Sequence, residues 1–121
     1  MINHRRDLRI KTDLPATGYL HGKETELNIC NISRSGACLH TKNQHAIYGN
    51  TVQLNFKIPF INKNICLIAE KKRQKYYQKE LTIGVEFLNI TLKEKMEIGY
   101  FIDSMIFSNI KDDNNAKFES V

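Results

Sequence analysis

Two segments of the chain alternate strictly between apolar and polar residues, and this alternation restricts the possible folds more than any other feature. The apolar positions are Val52, Leu54, Phe56 and Ile58 in the first segment and Leu81, Ile83, Val85 and Phe87 in the second. A repeat of two residues places successive side chains on opposite faces of a β-strand. The two segments are therefore predicted to be strands with one face in the core and the other in solvent.

Four more strands are predicted from shorter apolar runs that end at turn residues. The first begins at Pro15, and the second and third cover 27–32 and 37–41. The run 65–69 is nearly all apolar, which predicts a strand covered on both faces. The basic stretch 70–79 joins that strand to the last one, and we expect a long hairpin whose strand ends project from the body.

A helix is predicted after the last strand, because the apolar residues change to helical spacing. Thr91 is a good N-cap and Glu94 follows it at the spacing of a capping box. An apolar stripe continues at positions 98, 101, 102, 105 and 106, so the helix is expected over 92–107. The polar, Asn- and Asp-rich residues 109–121 are predicted to be a disordered tail.

These elements predict a mostly β fold, a six-stranded antiparallel barrel with a C-terminal α-helix. With 121 residues, the chain is expected to be one domain. We expect residues 1–13 to be a flexible basic N-terminal arm, 14–108 the barrel with its helix, and 109–121 the tail. No apolar stretch is long enough to span a bilayer and the N-terminus lacks the apolar region of a secretory signal, so a cytoplasmic protein is expected.

The basic residues are concentrated in two stretches, which suggests an anionic partner. The net charge is +5, and half of the 18 lysines and arginines lie within 5–11 and 71–79. Charge alone does not distinguish a nucleotide, a nucleic acid, a membrane or an acidic protein. Tyr76 and Tyr77 in the second stretch could stack on nucleic-acid bases, although a solvated hairpin is the simpler interpretation.

The sequence contains no recognisable metal site or catalytic set. The three cysteines, Cys30, Cys38 and Cys66, and the four histidines lack the spacing of metal ligands. Each cysteine lies in an apolar run, so we expect three reduced, buried thiols. No Ser/His/Asp or Cys/His set and no paired carboxylates point to a cleft, and the chain is interpreted as a non-enzyme that needs no metal.

The first candidate binding motif is the pair Arg5 and Arg9, four residues apart in the arm. Two guanidinium groups can clamp an anion from two sides, and each planar fork can bind a phosphate through two hydrogen bonds. The same fork can pair with the O6/N7 edge of guanine or stack on a purine ring. Alone, the pair is also compatible with a non-specific basic arm.

The second candidate motif is the connection Asn31-Ile32-Ser33-Arg34-Ser35-Gly36 between two predicted strands. Asn and Ser side chains form hydrogen bonds in tight turns, and Gly36 permits a positive φ or a close backbone approach. An ordinary turn would use the same residues. The combination with the arginine pair is far more specific than either motif.

Together the two motifs resemble the signature of the PilZ domain family, an Arg-x3-Arg arm followed by an Asp/Asn-x-Ser-x2-Gly turn between two strands. The run from Arg9 to Pro15 is similar to the family's arm as it enters the first strand, and Gly84-Val85-Glu86-Phe87 resembles its last-strand motif. The resemblance extends over residues 4–107. It implies a barrel that binds the bacterial second messenger cyclic di-GMP on its outer surface.

The resemblance also implies roles for the motif residues. Arg5 and Arg9 are expected to grip the phosphates and guanine edges. Asn31 and Ser33 are expected to hydrogen-bond the bases or the sugar-phosphate ring, with Gly36 allowing close approach. The arm is expected to become ordered on binding, which would change the surface offered to a partner.

Three further residues are expected as secondary contacts, namely His4, Arg6 and Arg34. In the family, the residue before the first motif arginine influences whether one ligand or a stacked pair is bound. His4 occupies that position here and matches neither pattern, so the ligand stoichiometry is left open.

The resemblance implies a stand-alone receptor that signals to a separate effector protein of the flagellar, pilus or polysaccharide machinery, with motility or biofilm as the output. No DNA partner and no membrane insertion are expected. Two alternatives are kept. The first is a PilZ-like interaction module that does not bind the messenger, and the second is a small nucleic-acid-binding barrel that uses both basic stretches.

Overall fold

The structure, a computed structural model, describes residues 8–20, 23–42, 50–59 and 61–119. Six strands precede one helix: β1 (Ile10–Leu20), β2 (Lys23–Ile32), β3 (Gly36–Thr41), β4 (Thr51–Ile58), β5 (Lys63–Tyr77), β6 (Glu80–Phe87) and α1 (Leu92–Glu119). The strands form a closed barrel in the order β1-β2-β3-β6-β5-β4, and every pair is antiparallel. The predicted fold, a six-stranded antiparallel barrel followed by a helix, is confirmed.

The core lies inside the barrel and is formed by alternate residues of the strands. The apolar positions of β4 and β6 that alternate in the sequence all face this core, and Leu54, Leu81 and Ile83 have no exposed surface. Complete burial of each such side chain contributes about 1.5–3 kcal/mol to stability. The outer faces of the same strands stay in solvent, where they are available for binding.

The prediction that 65–69 is covered on both faces is wrong. Ile65, Leu67 and Ala69 are buried, whereas Cys66 and Ile68 face outward and are exposed. The wall of a barrel has only one face on the core, and the described part of the helix does not cover the outer face of β5 at this level. The same finding corrects the expectation of three buried thiols, because Cys66 is exposed and the other two cysteines are half-buried.

The helix starts as predicted and is longer than predicted. The Glu94 N–H donates to the Thr91 hydroxyl at 3.1 Å, and the Thr91 N–H donates to the Glu94 carboxylate at 3.0 Å, which is a capping box. Ile98, Phe101 and Ile102 are buried against the barrel. The helix continues to Glu119, through the segment expected to be a tail, because no Gly or Pro follows Gly99 to stop it. No described helix is long and apolar enough to cross a membrane.

At the other end of the chain, β1 begins within the segment predicted as the arm. Ile10 pairs with Ile32 and Lys11 with Asn31, so residues 10–13 belong to the barrel wall. Backbone pairing with β2 satisfies polar groups at Ile10 and Lys11, and the register then shifts before Leu14. Arg5, His4 and Arg6 lie outside the described residues.

The basic stretch forms the expected long hairpin. β5 makes its last pairing with β4 at Glu70 and then continues to Tyr77, paired with β6. Gln78 and Lys79 close the hairpin with φ angles of 51° and 66°, the conformation of a two-residue hairpin turn. In this extension Arg73 pairs with Gly84 and Lys75 with Thr82, so two cationic residues lie beside β6.

Candidate functional site

The β2–β3 connection is a tight turn organised by Ser33. The Ser33 side chain is 97% enclosed, since its relative exposure is 3%. Its hydroxyl accepts the N–H of Ser35 at 3.2 Å and that of Gly36 at 3.1 Å, and the Ser33 N–H donates to the Gly36 carbonyl at 2.8 Å. In this structure Ser33 therefore holds the turn that the motif requires.

Gly36 is required by a close backbone approach. β3 pairs with β6 at Gly36 and Glu86, and a Cβ at Gly36 would overlap the Val85 carbonyl oxygen. The Phe87 N–H also donates to the Ser35 carbonyl at 2.8 Å, so the turn is fastened to β6. A larger residue would push the turn away from the strand that forms the neighbouring wall.

Asn31 carries a buried acceptor without a partner. Its Oδ1 is enclosed, yet no described residue donates a hydrogen bond to it. An unpaired buried polar atom costs about 1–3 kcal/mol, so this oxygen is a candidate acceptor for a hydrogen bond from a ligand. Asn31 sits at a bulge in β2, where Cys30 and Asn31 both lie opposite Cys38. The acceptor is thus held on the outer wall beside the turn.

On the outside of the barrel, one residue from each of five neighbouring strands lies in a single row of paired residues. The register joins Lys11, Asn31, Cys38, Gly84 and Arg73 in that order. Beside this row lies an open cleft of about 270 Å³, lined by Arg9, Ser33, Gly36, Cys38, Gly84 and Arg73 among others. Its floor is made of small residues, and arginines stand on opposite sides. A flat anionic molecule is the kind of ligand that this shape suits.

The pKa of the Cys38 thiol depends on the burial and the charges around the floor of the cleft. Burial, followed by the neighbouring Cys30 thiol, raises this pKa, and the charges of Arg73 and Arg9 oppose the rise, so that the pKa is about 11 in place of 9.0. The thiol is therefore neutral at physiological pH. The two guanidinium groups both lie close enough to act on the same sulfur atom.

Lys72 also lines the cleft, and its ammonium group forms ion pairs with two carboxylates of the protein. Its ammonium lies 2.6 Å from the Glu70 carboxylate and 4.0 Å from that of Glu86. The hydrogen bond to Glu70, with the charges of both carboxylates, raises the pKa of Lys72. Its charge is thus partly balanced within the protein.

Of the residues predicted from the sequence, Arg9, Ser33 and Gly36 meet at the cleft, and Asn31 lies one strand from it. Arg34 instead extends to the helix, with its guanidinium 3.6 Å from the Asp103 carboxylate. That position gives no support to its expected secondary role.

The sequence analysis did not predict that Arg73 lines the cleft, and it singled out Gly84 only as part of a strand motif. A glycine inside a strictly alternating strand often marks a place where another group lies close to the backbone, and this signal pointed to the position. Within the described ranges, no group of three or more His, Cys, Asp or Glu side chains could hold a metal ion.

Comparison with known proteins gives one family and several solved structures. The family model described as PilZ domain matches residues 3–104. The Klebsiella pneumoniae MrkH–c-di-GMP complex is similar, with a TM-score of 0.79 and 17% identity over 92% of this chain and 56% of that one. The Bacillus subtilis inhibitor of motility MotI/DgrA has a TM-score of 0.76 and 17% identity, over 87% and 53%. The PilZ domain of Escherichia coli YcgR with c-di-GMP has a TM-score of 0.71 and 14% identity, over 93% and 98%.

The chain thus spans a little over half the length of the MrkH and MotI chains. No curated protein matches it. At these identities the solved structures show a shared fold, and the family match rests on most of the sequence.

Proposed function

Because the chain belongs to the PilZ domain family, we propose that it is a receptor for cyclic di-GMP. The observation that carries the proposal is the outer cleft, where Arg9 faces the Ser33–Gly36 turn beside the unpartnered Asn31 acceptor. Cyclic di-GMP supplies the complementary groups, which are two phosphates and two guanines. Complexes with c-di-GMP are known for the MrkH and YcgR structures to which the chain is similar.

In the proposed complex each motif residue has a distinct task. Arg9, with Arg5 from the arm, grips phosphates and the O6/N7 edge of guanine. The Asn31 Oδ1 accepts a hydrogen bond from the N1–H or amino group of a guanine. Ser33 holds the turn, and Gly36 lets the ligand approach the backbone. Ordering of the arm on binding changes the surface that a partner protein meets.

The proposed output is transmission of the signal to an effector protein by a cytoplasmic receptor. One similar structure is an inhibitor of motility, which favours the motility machinery as one candidate target. MrkH is described as a c-di-GMP-dependent transcription regulatory factor. An output that involves DNA, which is not expected from the sequence, therefore also needs a test. Pilus and polysaccharide machinery are the other candidates.

The direct test is calorimetric titration of the protein with cyclic di-GMP, with GMP and cyclic di-AMP as controls. We expect saturable binding that GMP does not reproduce, and the molar ratio gives the stoichiometry that His4 leaves open. Arg9→Ala is expected to weaken binding by about 1–3 kcal/mol, which is about 5- to 150-fold. The Arg5→Ala/Arg9→Ala double variant should lose more.

Two results would contradict the proposal. Absence of binding by the wild-type protein would leave an interaction module as the better interpretation. Binding that does not distinguish cyclic di-GMP from other nucleotides, and that falls steeply with salt over many phosphates, would favour the nucleic-acid-binding barrel.

A further inference from the structure

Arg73 faces the cleft because of a bulge in β5. The core-facing residues of this strand are Ile65, Leu67 and Ala69, so regular alternation would turn residue 73 inward as well. The register between β5 and β6 shifts between Lys71 and Arg73, and beyond the shift Arg73 pairs with Gly84. Since paired residues lie on the same face, the bulge moves Arg73 to the outer wall.

Gly84 then allows the Arg73 side chain to lie across the sheet. A Cβ at Gly84 would be 2.9 Å from the Arg73 Nε and 3.0 Å from its Cγ, which is closer than side chains normally approach. Gly84 pairs on its other side with Cys38, the floor of the cleft. The guanidinium therefore extends from β5 over β6 toward the cleft, on the side away from Arg9.

The guanidinium charge of Arg73 is not balanced by any carboxylate among the described residues. Among the residues that the structure describes, no carboxylate forms an ion pair with it, whereas the adjacent Lys72 is held by Glu70 and Glu86. The position of Arg73 is thus set by backbone register and by a glycine, and its hydrogen-bonding fork is left available. An exposed arginine held beside a cleft with a free fork suits recognition of a planar, electron-rich group.

We propose that Arg73 is a third ligand-binding arginine, which pairs with the O6/N7 edge of a guanine and contributes to the choice of guanine over adenine. This inference rests on the proposed cyclic di-GMP site. Adenine has an amino group where guanine has O6, so it offers the arginine fork one acceptor in place of two. Lysine in place of Arg73 would keep the charge but lose the paired geometry.

The test measures the affinities of wild type and of Arg73→Ala, Arg73→Lys and Lys75→Ala for cyclic di-GMP and cyclic di-AMP. Arg73→Ala is expected to weaken cyclic di-GMP binding by about 5- to 150-fold, and to reduce the preference for cyclic di-GMP over cyclic di-AMP. Arg73→Lys should lose most of the same affinity. Lys75→Ala removes the same charge from the same face of β5, outside the cleft, and should bind like wild type.

Gly84→Ala provides an independent variant that leaves every charge in place. Its Cβ would displace the Arg73 side chain, and an exposed flexible side chain can move without unfolding the barrel. We expect weaker binding with an unchanged unfolding midpoint. If Gly84→Ala weakens binding equally in an Arg73→Ala background, the weakening is not caused by displacement of Arg73, and that explanation is wrong.

The outcomes separate this inference from the proposed function. Wild-type affinity in Arg73→Ala overturns the role of Arg73 alone, and wild-type affinity in Arg73→Lys overturns its paired hydrogen bonds to guanine. Weaker binding by Arg73→Ala with an unchanged preference for cyclic di-GMP over cyclic di-AMP overturns base recognition. A wild-type protein that does not bind cyclic di-GMP overturns both proposals.

Discussion

Asn31 shows, at the scale of one residue, a buried polar atom that the described part of the protein leaves without a partner. Its enclosed Oδ1 has no donor among the described residues, while the polar groups of the adjacent turn are satisfied by Ser33. The protein tolerates the cost of an unpaired acceptor at one position beside the cleft. In the proposed complex, function and stability make opposite demands on this residue.

Asn31→Ala should separate these demands. Removing the unpaired acceptor is expected to leave the free energy of unfolding of the free protein within about 1 kcal/mol of wild type, since no hydrogen bond to Oδ1 is lost. Affinity for cyclic di-GMP should fall. Urea denaturation and titration measure the two effects.

The matched control for this prediction is Ser33→Ala, which leaves two turn N–H groups without their acceptor. It should destabilise the free protein by about 1–3 kcal/mol. If Asn31→Ala destabilises the fold as much as Ser33→Ala and binds the ligand like wild type, the ligand-binding role of Asn31 is wrong.

The cysteines provide a chemical readout of the cleft. Because burial raises the pKa of Cys38 to about 11, its reactive thiolate is scarce at neutral pH, and its rate of alkylation should keep rising as pH increases from about 9 to 11. Cys66 is exposed and should react first. Mass spectrometry of iodoacetamide adducts, site by site, measures both rates.

Bound cyclic di-GMP should slow the alkylation of Cys38, which lines the cleft, and leave that of Cys66 unchanged. Cys66 therefore serves as the internal control within the same molecule. Equal protection of both thiols would indicate a global change, and no protection of Cys38 would place the ligand elsewhere.

At the scale of elements, the sequence predicts regular segments better than irregular ones. β4 and β6 follow from alternation, and the start of α1 follows from Thr91 and Glu94. The outward orientation of Arg73 does not follow from the sequence pattern. It depends on a bulge, which is set by how two strands pair and does not appear as a periodic pattern of residues. The two motifs predicted residues on one side of the candidate site, and the residues on the opposite side became apparent only from the register.

The capping box makes a prediction about how firmly α1 is attached. Thr91→Ala removes the acceptor of the Glu94 N–H and should lower the free energy of unfolding by about 0.5–2 kcal/mol. Glu94→Gln keeps the reciprocal hydrogen bond and should cost much less. Urea denaturation measures both variants, and a loss for Glu94→Gln as large as that for Thr91→Ala would show that the charge of Glu94 contributes as much as the cap.

At the scale of the whole molecule, the barrel separates its core from its site by the alternation of the strands. On β6, Ile83 and Val85 face the core, whereas Gly84 between them forms part of the cleft. On β3, Leu39 is buried and the adjacent Cys38 lies on the cleft floor. Closure of the barrel then fixes the relative positions of five outward-facing residues from five strands.

This interleaving has an evolutionary consequence. Because adjacent residues of a strand face the core and the outer wall in turn, substitutions on the outer wall can change the ligand specificity without disturbing the packing of the core. A lineage could thus acquire a new ligand preference through a single outward change such as the arginine at position 73, without passing through an unfolded intermediate.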